Sequence, residues 1–176
     1  RLAFALVSLR KKMEWNDKQE LLRSLIETNS DVVEIGILNT QGQELVKVFN
    51  PDLSSDSRLR SFSSAGGFRE AVKGGRRARR IVRYRDEPAL EMFYPMGPLV
   101  WARVLISLRS LGAHIVSQEV GGTGFAVLVD GKGRALFYPR EHLSPAAAAR
   151  LSQTPTVKVA LQSQSVGSRD VPDFEG

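Results

Sequence analysis

The chain reads as an α+β protein in which a long N-terminal helix backs an antiparallel sheet of five short strands, with a reduced second module behind it. Three observations predict this. Leu21, Leu22, Leu25 and Ile26 recur at helical spacing between charged residues. Short β-rich runs follow, separated by Asn, Asp and Gly turns. A strand–turn–strand pattern then recurs at a constant offset of 91, since Asn39 aligns with Asp130 and Gly42 with Gly133.

The first helix is predicted from Leu2 to about Asn29, where Asn29-Ser30-Asp31 ends it. Val32 to Leu38 is the first strand, Asn39-Thr40-Gln41-Gly42 its turn, and Leu45 to Phe49 the second strand. Residues 50–67, rich in Ser, Asp and Gly, form a loop. Phe68 to Lys73 is a short helix stopped by Gly74-Gly75. Arg79 to Arg85, Leu90 to Tyr94 and Leu99 to Leu105 are three more strands, with Asp86-Glu87-Pro88 as a turn, and Arg109 to Val116 is a helix. This places a helix at 1–29, a distal module at 30–111 and a second module at 112–176.

The second module opens like the first. Phe125 to Val129 reads as a strand, Asp130-Gly131-Lys132-Gly133 as a turn and Ala135 to Tyr138 as a strand. Ile37 then matches Leu128, Leu38 matches Val129 and Leu45 matches Leu136. After it come a helix, Pro145 to Leu151, one strand, Thr156 to Leu161, and a polar tail. The module is therefore incomplete or degenerate.

With 42% hydrophobic and 25% charged residues the chain has a globular balance. Without cysteine it has no disulfide framework or thiolate metal site, and two histidines, His114 and His142, give zinc chemistry or a histidine triad little material. No cofactor is expected. The apolar run Leu2 to Leu9 is far short of the roughly 20 residues that span a bilayer. It reads as an amphipathic helix start, with the cut end of a spanning helix as the other reading. The opening Arg1 suggests an excised fragment.

Enzymatic motifs fail on context. Gly121-Gly122-Thr123-Gly124 precedes a strand, whereas a phosphate loop follows one and opens a helix. Gly131-Lys132 lacks the Ser or Thr of a P-loop. The net charge of +6 is concentrated: ten basic residues lie between Arg58 and Arg85, while Asp170 to Glu175 is acidic. The run Arg76-Arg77-Ala78-Arg79-Arg80 admits three readings: a solvated loop and edge strand, arginines turned inward to hold a carboxylate, or a nucleic-acid surface.

The ordered series of elements resembles the Cache family, the PAS-like extracytoplasmic sensor modules of bacterial receptors. The residues carrying it are Val32-Val33-Glu34-Ile35-Gly36-Ile37-Leu38-Asn39-Thr40-Gln41-Gly42 after a long helix, Phe68 to Gly75, Phe93-Tyr94-Pro95-Met96, and Val104 to Leu111. Gly121 to Gly133 with Tyr138-Pro139 resembles the hairpin that opens the membrane-proximal module of the double form. Residues 1 to about 143 are covered. Trp101 stands alone where some members carry an Arg followed closely by Trp-Tyr.

The resemblance implies a PAS-like five-stranded sheet and a non-enzymatic module that binds a small molecule between its sheet and the loop–helix segment over it. It implies the periplasmic part of an inner-membrane receptor, homodimeric in the parent protein. The first expectation is a histidine kinase of a two-component system, with a chemoreceptor or cyclic-dinucleotide synthase as alternatives. A basic nucleic-acid-binding module is the alternative of another class, but no nucleic-acid partner is expected. Strand alternation puts Val100, Ala102, Val104 and Ile106 on one face, apolar enough to pack on the long helix, and Leu99, Trp101 and Arg103 on the other. The candidate ligand-binding residues are Arg83, Tyr84, Phe93, Tyr94, Trp101 and Arg103, with the inward member of each adjacent pair left open. An Arg among aromatics suits a carboxylate or other small anion.

Overall fold

The computed structural model describes residues 15–120 and 124–162. The start of the expected long helix, Gly121-Gly122-Thr123 and the acidic end Asp170 to Glu175 lie outside the described residues. Among the described residues no helix is long and apolar enough to cross a membrane. The chain divides into two compact units, residues 1–108 and 109–176.

In the first unit, α1 (Trp15–Glu27) ends where side chains take over its last carbonyls. Thr28 Oγ1 donates to Ser24 O at 2.7 Å and Asn29 Nδ2 to Leu25 O at 2.7 Å. Five strands follow: β1 (Val32–Asn39), β2 (Glu44–Phe49), β3 (Ala78–Tyr84), β4 (Glu87–Pro95) and β5 (Val100–Ser107), with α2 (Gly66–Gly74) between β2 and β3. They form one antiparallel sheet in the order β2-β1-β5-β4-β3. The central strands β1 and β5 are covered on both faces, so they read as near-continuous apolar runs.

One face packs on α1. Leu22, Leu25 and Ile26 meet Ile35, Ile37, Ala102 and Val104, with Val100 and Ile106 at the margin. The set expected from alternation in β5 therefore lies on the helix side. The other face is covered by residues 50–77. Phe62, Phe68 and Ala71 pack on Leu38, Ala78, Phe93 and Trp101. Phe68 meets Phe93 and Trp101 edge to face, at centroid distances of 5.7 and 6.1 Å. Gly75, at φ 58°, ends α2 in the left-handed conformation.

The strands expected at 79–85, 90–94 and 99–105 appear with shifted ends. The β3–β4 turn is tighter than expected, because Glu87 and Pro88 join β4 and only Arg85 and Asp86 turn, at φ 48° and 64°. Pro88 precedes the first β4–β5 pair, Ala89–Ser107, where its missing N–H costs no ladder bond.

The second unit contains α3 (Arg109–Val116), β6 (Glu119–Val120), β7 (Gly124–Phe125), β8 (Leu128–Val129), β9 (Ala135–Phe137), α4 (Pro145–Arg150), a 3₁₀ turn at 151–153 and α5 (Pro155–Gln162). Two sequence expectations are corrected. Phe125 to Val129 is not one strand: β7 pairs with β6, β8 pairs with β9, and Val127 between them packs with Leu143, Ala148, Leu151 and Val157. Thr156 to Leu161 is helix, not strand. Its β-branched residues suggested β structure, but Thr154 Oγ1 accepts from Val157 N at 3.4 Å and Pro155 occupies the first position, a strong helix start.

The two hairpin turns repeat in detail. Asn39 Oδ1 accepts from Gln41 N and Gln43 N at 3.0 and 2.9 Å, and Asp130 Oδ1 from Lys132 N and Arg134 N at 2.8 and 3.0 Å. Gly42 and Gly133 follow at φ 79° and 76°. Each glycine lies under covering chain, since a Cβ would come within 2.8 Å of Ser63 N at Gly42 and 3.0 Å of Ser152 Cα at Gly133.

Candidate functional site

On the sheet face beneath residues 50–77, apolar side chains surround a buried set of charges. A bulge between Val32 and Glu34 sets the phase of β1. Glu34 then faces the same way as Gly36 and Leu38, beside Leu105, Arg103 and Trp101 of β5. Glu91 arrives from β4, Glu44 and Lys47 from β2, and Arg60 from the covering loop.

Arg103 is the hub, with 4% of its side chain exposed. Its Nε donates to Glu91 Oε1 at 2.8 Å and its Nη1 to Glu34 Oε1 in a short contact. The Phe62 ring lies 4.3 Å from the guanidinium carbon, adding a cation–π contact. Lys47 Nζ sits 3.7 Å from Glu34 Oε2 and 3.7 Å from Glu44 Oε2. It also donates to the carbonyls of Asp56 and Arg58, at 3.2 and 2.8 Å, pinning the loop to the sheet. Arg60 Nη2 bonds Asp56 Oδ2 at 2.7 Å, and the Arg60 backbone N–H donates to Glu44 Oε2 at 3.0 Å.

Four carboxylates, Glu34, Glu44, Asp56 and Glu91, thus face four cations, Lys47, Arg60, Arg80 and Arg103. The balance matters because an unpaired buried charge is far costlier than a paired one. Satisfaction is still incomplete: Glu34 Oε2 and Glu44 Oε1 are buried without a hydrogen-bond partner. Burial raises Glu44 above its ordinary 4.5, opposed by the Arg60 N–H, Lys47 and Arg103 and reinforced by the charge of Glu34. The Arg58 and Arg60 bonds hold Asp56 well below its ordinary value.

The structure brings Phe93, Trp101 and Arg103 together on this face. Tyr84 shares the face farther along β3, packing near Val33 and Leu105, with its hydroxyl donating to Leu53 O at 3.3 Å. Tyr94 points the other way, into the α1 side, because it neighbours Phe93 on an alternating strand. Arg83 alternates with Tyr84 and is exposed, donating to Asp86 O at 3.1 Å. Arg76 and Arg77 are exposed before β3, while Arg79 and Arg80 lie on opposite faces of it. The basic run is therefore spread over a loop and both faces of a strand.

Sequence reasoning missed Glu34, Glu44, Glu91, Lys47, Arg60 and Phe62. A signal for two of them was present. Glu34 interrupts the apolar run Val32 to Leu38, and Glu91 sits between Leu90 and Met92 in a strand of a five-stranded sheet. A carboxylate inside a buried strand calls for a cation opposite it. A separate surface groove of about 310 Å³ lies outside α2, lined by Thr40, Gln41, Ser63, Phe68, Arg69, Val72 and Lys73.

No family model matches the chain, and no curated protein matches it in sequence. Solved structures do match in fold. The extracellular domain of vpHK1S-Z8, described as a histidine kinase, superposes with a TM-score of 0.63 at 16% identity, covering 93% of this chain and 68% of that one. A domain of a sensory box/GGDEF family protein from Vibrio parahaemolyticus gives 0.64 at 15% identity, with 96% and 74% covered. The ligand-binding domain of the Pseudomonas aeruginosa PAO1 chemoreceptor PctC, solved with GABA, gives 0.56 at 19% identity, with 85% and 68% covered. The α+β fold with a five-stranded antiparallel sheet implied by the sequence resemblance is the fold observed, and it is shared with the extracellular domain of vpHK1S-Z8 and the ligand-binding domain of PctC.

Proposed function

We propose that this chain is the extracytoplasmic small-molecule-sensing region of a bacterial transmembrane receptor. The carrying observation is the antiparallel sheet of order β2-β1-β5-β4-β3, one face on a helix and the other under a loop–helix cover, in a chain that superposes over most of its length on extracellular domains described as those of histidine kinases. In this reading the chain binds and reports; catalysis belongs to the rest of the parent protein. A periplasmic position, anchoring in the inner membrane by segments beyond these residues and homodimerisation of the receptor complete the proposal. A histidine kinase is the first output, after the vpHK1S-Z8 likeness. The likenesses to PctC and to the GGDEF-family protein favour a chemoreceptor or cyclic-dinucleotide synthase as the second reading.

The proposed ligand site lies between β4–β5 and residues 50–77, with Phe93, Trp101 and Arg103 at its centre and Tyr84 at its edge. A carboxylate or other small anion suits the Arg103 fork. In the described conformation that fork is held by Glu34 and Glu91, with Phe62 against it. An anion reaches it only by displacing Phe62 and loosening one of these pairs, so free and bound arrangements are distinct states. A ligand that prefers one shifts the population by its difference in affinity. Helix α1, packed on the opposite face of the same strands, is the element placed to carry a displacement outward.

A thermal-shift screen with organic acids, amino acids and nucleobases tests this. A true ligand at 100 times its Kd adds about 2.7 kcal/mol of stability. At least one compound is expected to raise the melting temperature; no shift with any compound at millimolar concentration removes the small-molecule reading.

A further inference from the structure

We propose that the Glu44 carboxyl, beside Glu34 under the covering loop, is a proton-binding site that makes the hold on residues 56–60 depend on external pH. The two unpartnered oxygens of the cluster, Glu34 Oε2 and Glu44 Oε1, both belong to this pair. Both carboxyls lie on one ammonium, each with an oxygen 3.7 Å from Lys47 Nζ, too long for a good hydrogen bond. An acceptor buried without a donor is costly, and a proton on Glu44 removes the charge that such an oxygen carries.

The space points to a proton rather than a larger cation. Both side chains are 0% exposed. The Glu44 carboxyl is wedged against Gly36, where a Cβ would fall 2.1 Å from Oε1, so only glycine leaves it room. Among the described residues no three His, Cys, Asp or Glu side chains are placed to hold a metal ion together. A proton alone enters without opening the cover.

The charges facing Glu44 are Lys47 on its own strand, Glu34 from β1, Arg103 from β5 and Arg60 from the loop, with Asp56 behind Arg60 and Glu91 behind Arg103. Burial is the main cause that raises the Glu44 carboxyl above its ordinary value. Ionised Glu44 joins Glu34, Glu91 and Asp56 as four negative charges against Lys47, Arg60, Arg80 and Arg103. Because burial under the cover is what raises Glu44, its proton favours the covered arrangement, so the hold of Lys47 and the Arg60 amide on residues 56–60 strengthens as pH falls through the raised value and weakens as pH climbs. The proton site stands on this geometry; its use as a signal rests on the sensor reading above, which the ligand screen tests separately.

The test is a carboxyl-carbon NMR titration of the wild-type chain, followed together with the Arg60 amide, which donates to Glu44 Oε2. One glutamate is expected to titrate above the ordinary 4.5, with the Arg60 amide moving at the same midpoint, and both transitions are expected to vanish in Glu44→Gln. The wild-type titration decides even if that variant folds poorly. All glutamates titrating at or below the ordinary value would overturn the proposal, as would a raised titration that survives in Glu44→Gln.

Discussion

Replacing Arg103 by Met keeps most of the side-chain length and removes the charge. The guanidinium is 4% exposed and links two carboxylates that do not otherwise meet a strong donor. Removing one partner of a buried ion pair typically costs about 3–5 kcal/mol, chiefly because the other charge stays buried and unpaired. Here two are left, Glu34 and Glu91, although Lys47 still stands 3.7 Å from Glu34 and Arg80 4.0 Å from Glu91. We therefore expect a loss of about 3–5 kcal/mol, a large share of the 5–15 kcal/mol that holds a domain together. Arg103→Lys restores the charge but not the two-sided fork and should recover only part of it. Both tryptophans, Trp15 and Trp101, belong to the first unit, so urea denaturation followed by tryptophan fluorescence reports on that unit. A loss below about 1 kcal/mol, the scale of an exposed ion pair, would refute the reading of Arg103 as the hub.

Other expectations follow from single positions. Gly42→Ala places a Cβ at φ 79° and 2.8 Å from Ser63 N, and should destabilise the first unit by at least about 1–2 kcal/mol in the same denaturation assay. Replacing Arg85-Asp86 by Asn-Gly supplies the pair favoured where both turn residues have positive φ, and should raise the denaturation midpoint by the equivalent of about 0.5–1 kcal/mol. Thr154→Val removes the α5 cap and should cost about 0.5–2 kcal/mol, read as faster amide exchange in residues 155–162. Two groups give stability opposite pH slopes. Glu44, raised in the folded state, contributes most at low pH and loses this as pH climbs through its folded value. Asp56, depressed, contributes above its ordinary 3.8 and loses this as pH falls below it, so denaturation across pH should show both limbs, the first absent in Glu44→Gln and the second in Asp56→Asn.

Local signals carried the architecture well. Period-two alternation separated Val100, Ala102, Val104 and Ile106 from Trp101 and Arg103, and each Asx-x-x-Gly turn could be read because its hydrogen bonds span four residues. The site was less legible because it is non-local. Glu34 and Arg103 are 69 residues apart, and only the sheet order makes them neighbours. Residues 50–67 looked like a plain polar loop, yet Phe62 covers Arg103 and Arg60 bonds Glu44 through its backbone, a contact with no side-chain signature. Tyr94 and Arg83 have the residue types of a ligand site, but alternation with Phe93 and Tyr84 turns them away from it. In α5 the β-branched Thr156, Val157 and Val159 point to a strand, and the Thr154-Pro155 start decides for helix.

The central claim is that a small molecule binds beneath residues 50–77, and amide and side-chain NMR of the labelled chain tests it most directly. Titration with the organic acids, amino acids and nucleobases is expected to give, for at least one compound, saturable shifts centred on Phe62, Phe68, Phe93, Trp101 and the Arg103 Nε–H, lost in Arg103→Met. Titrations that leave these signals unmoved at millimolar concentration, or that move only the exposed arginines between Arg76 and Arg85, would contradict it.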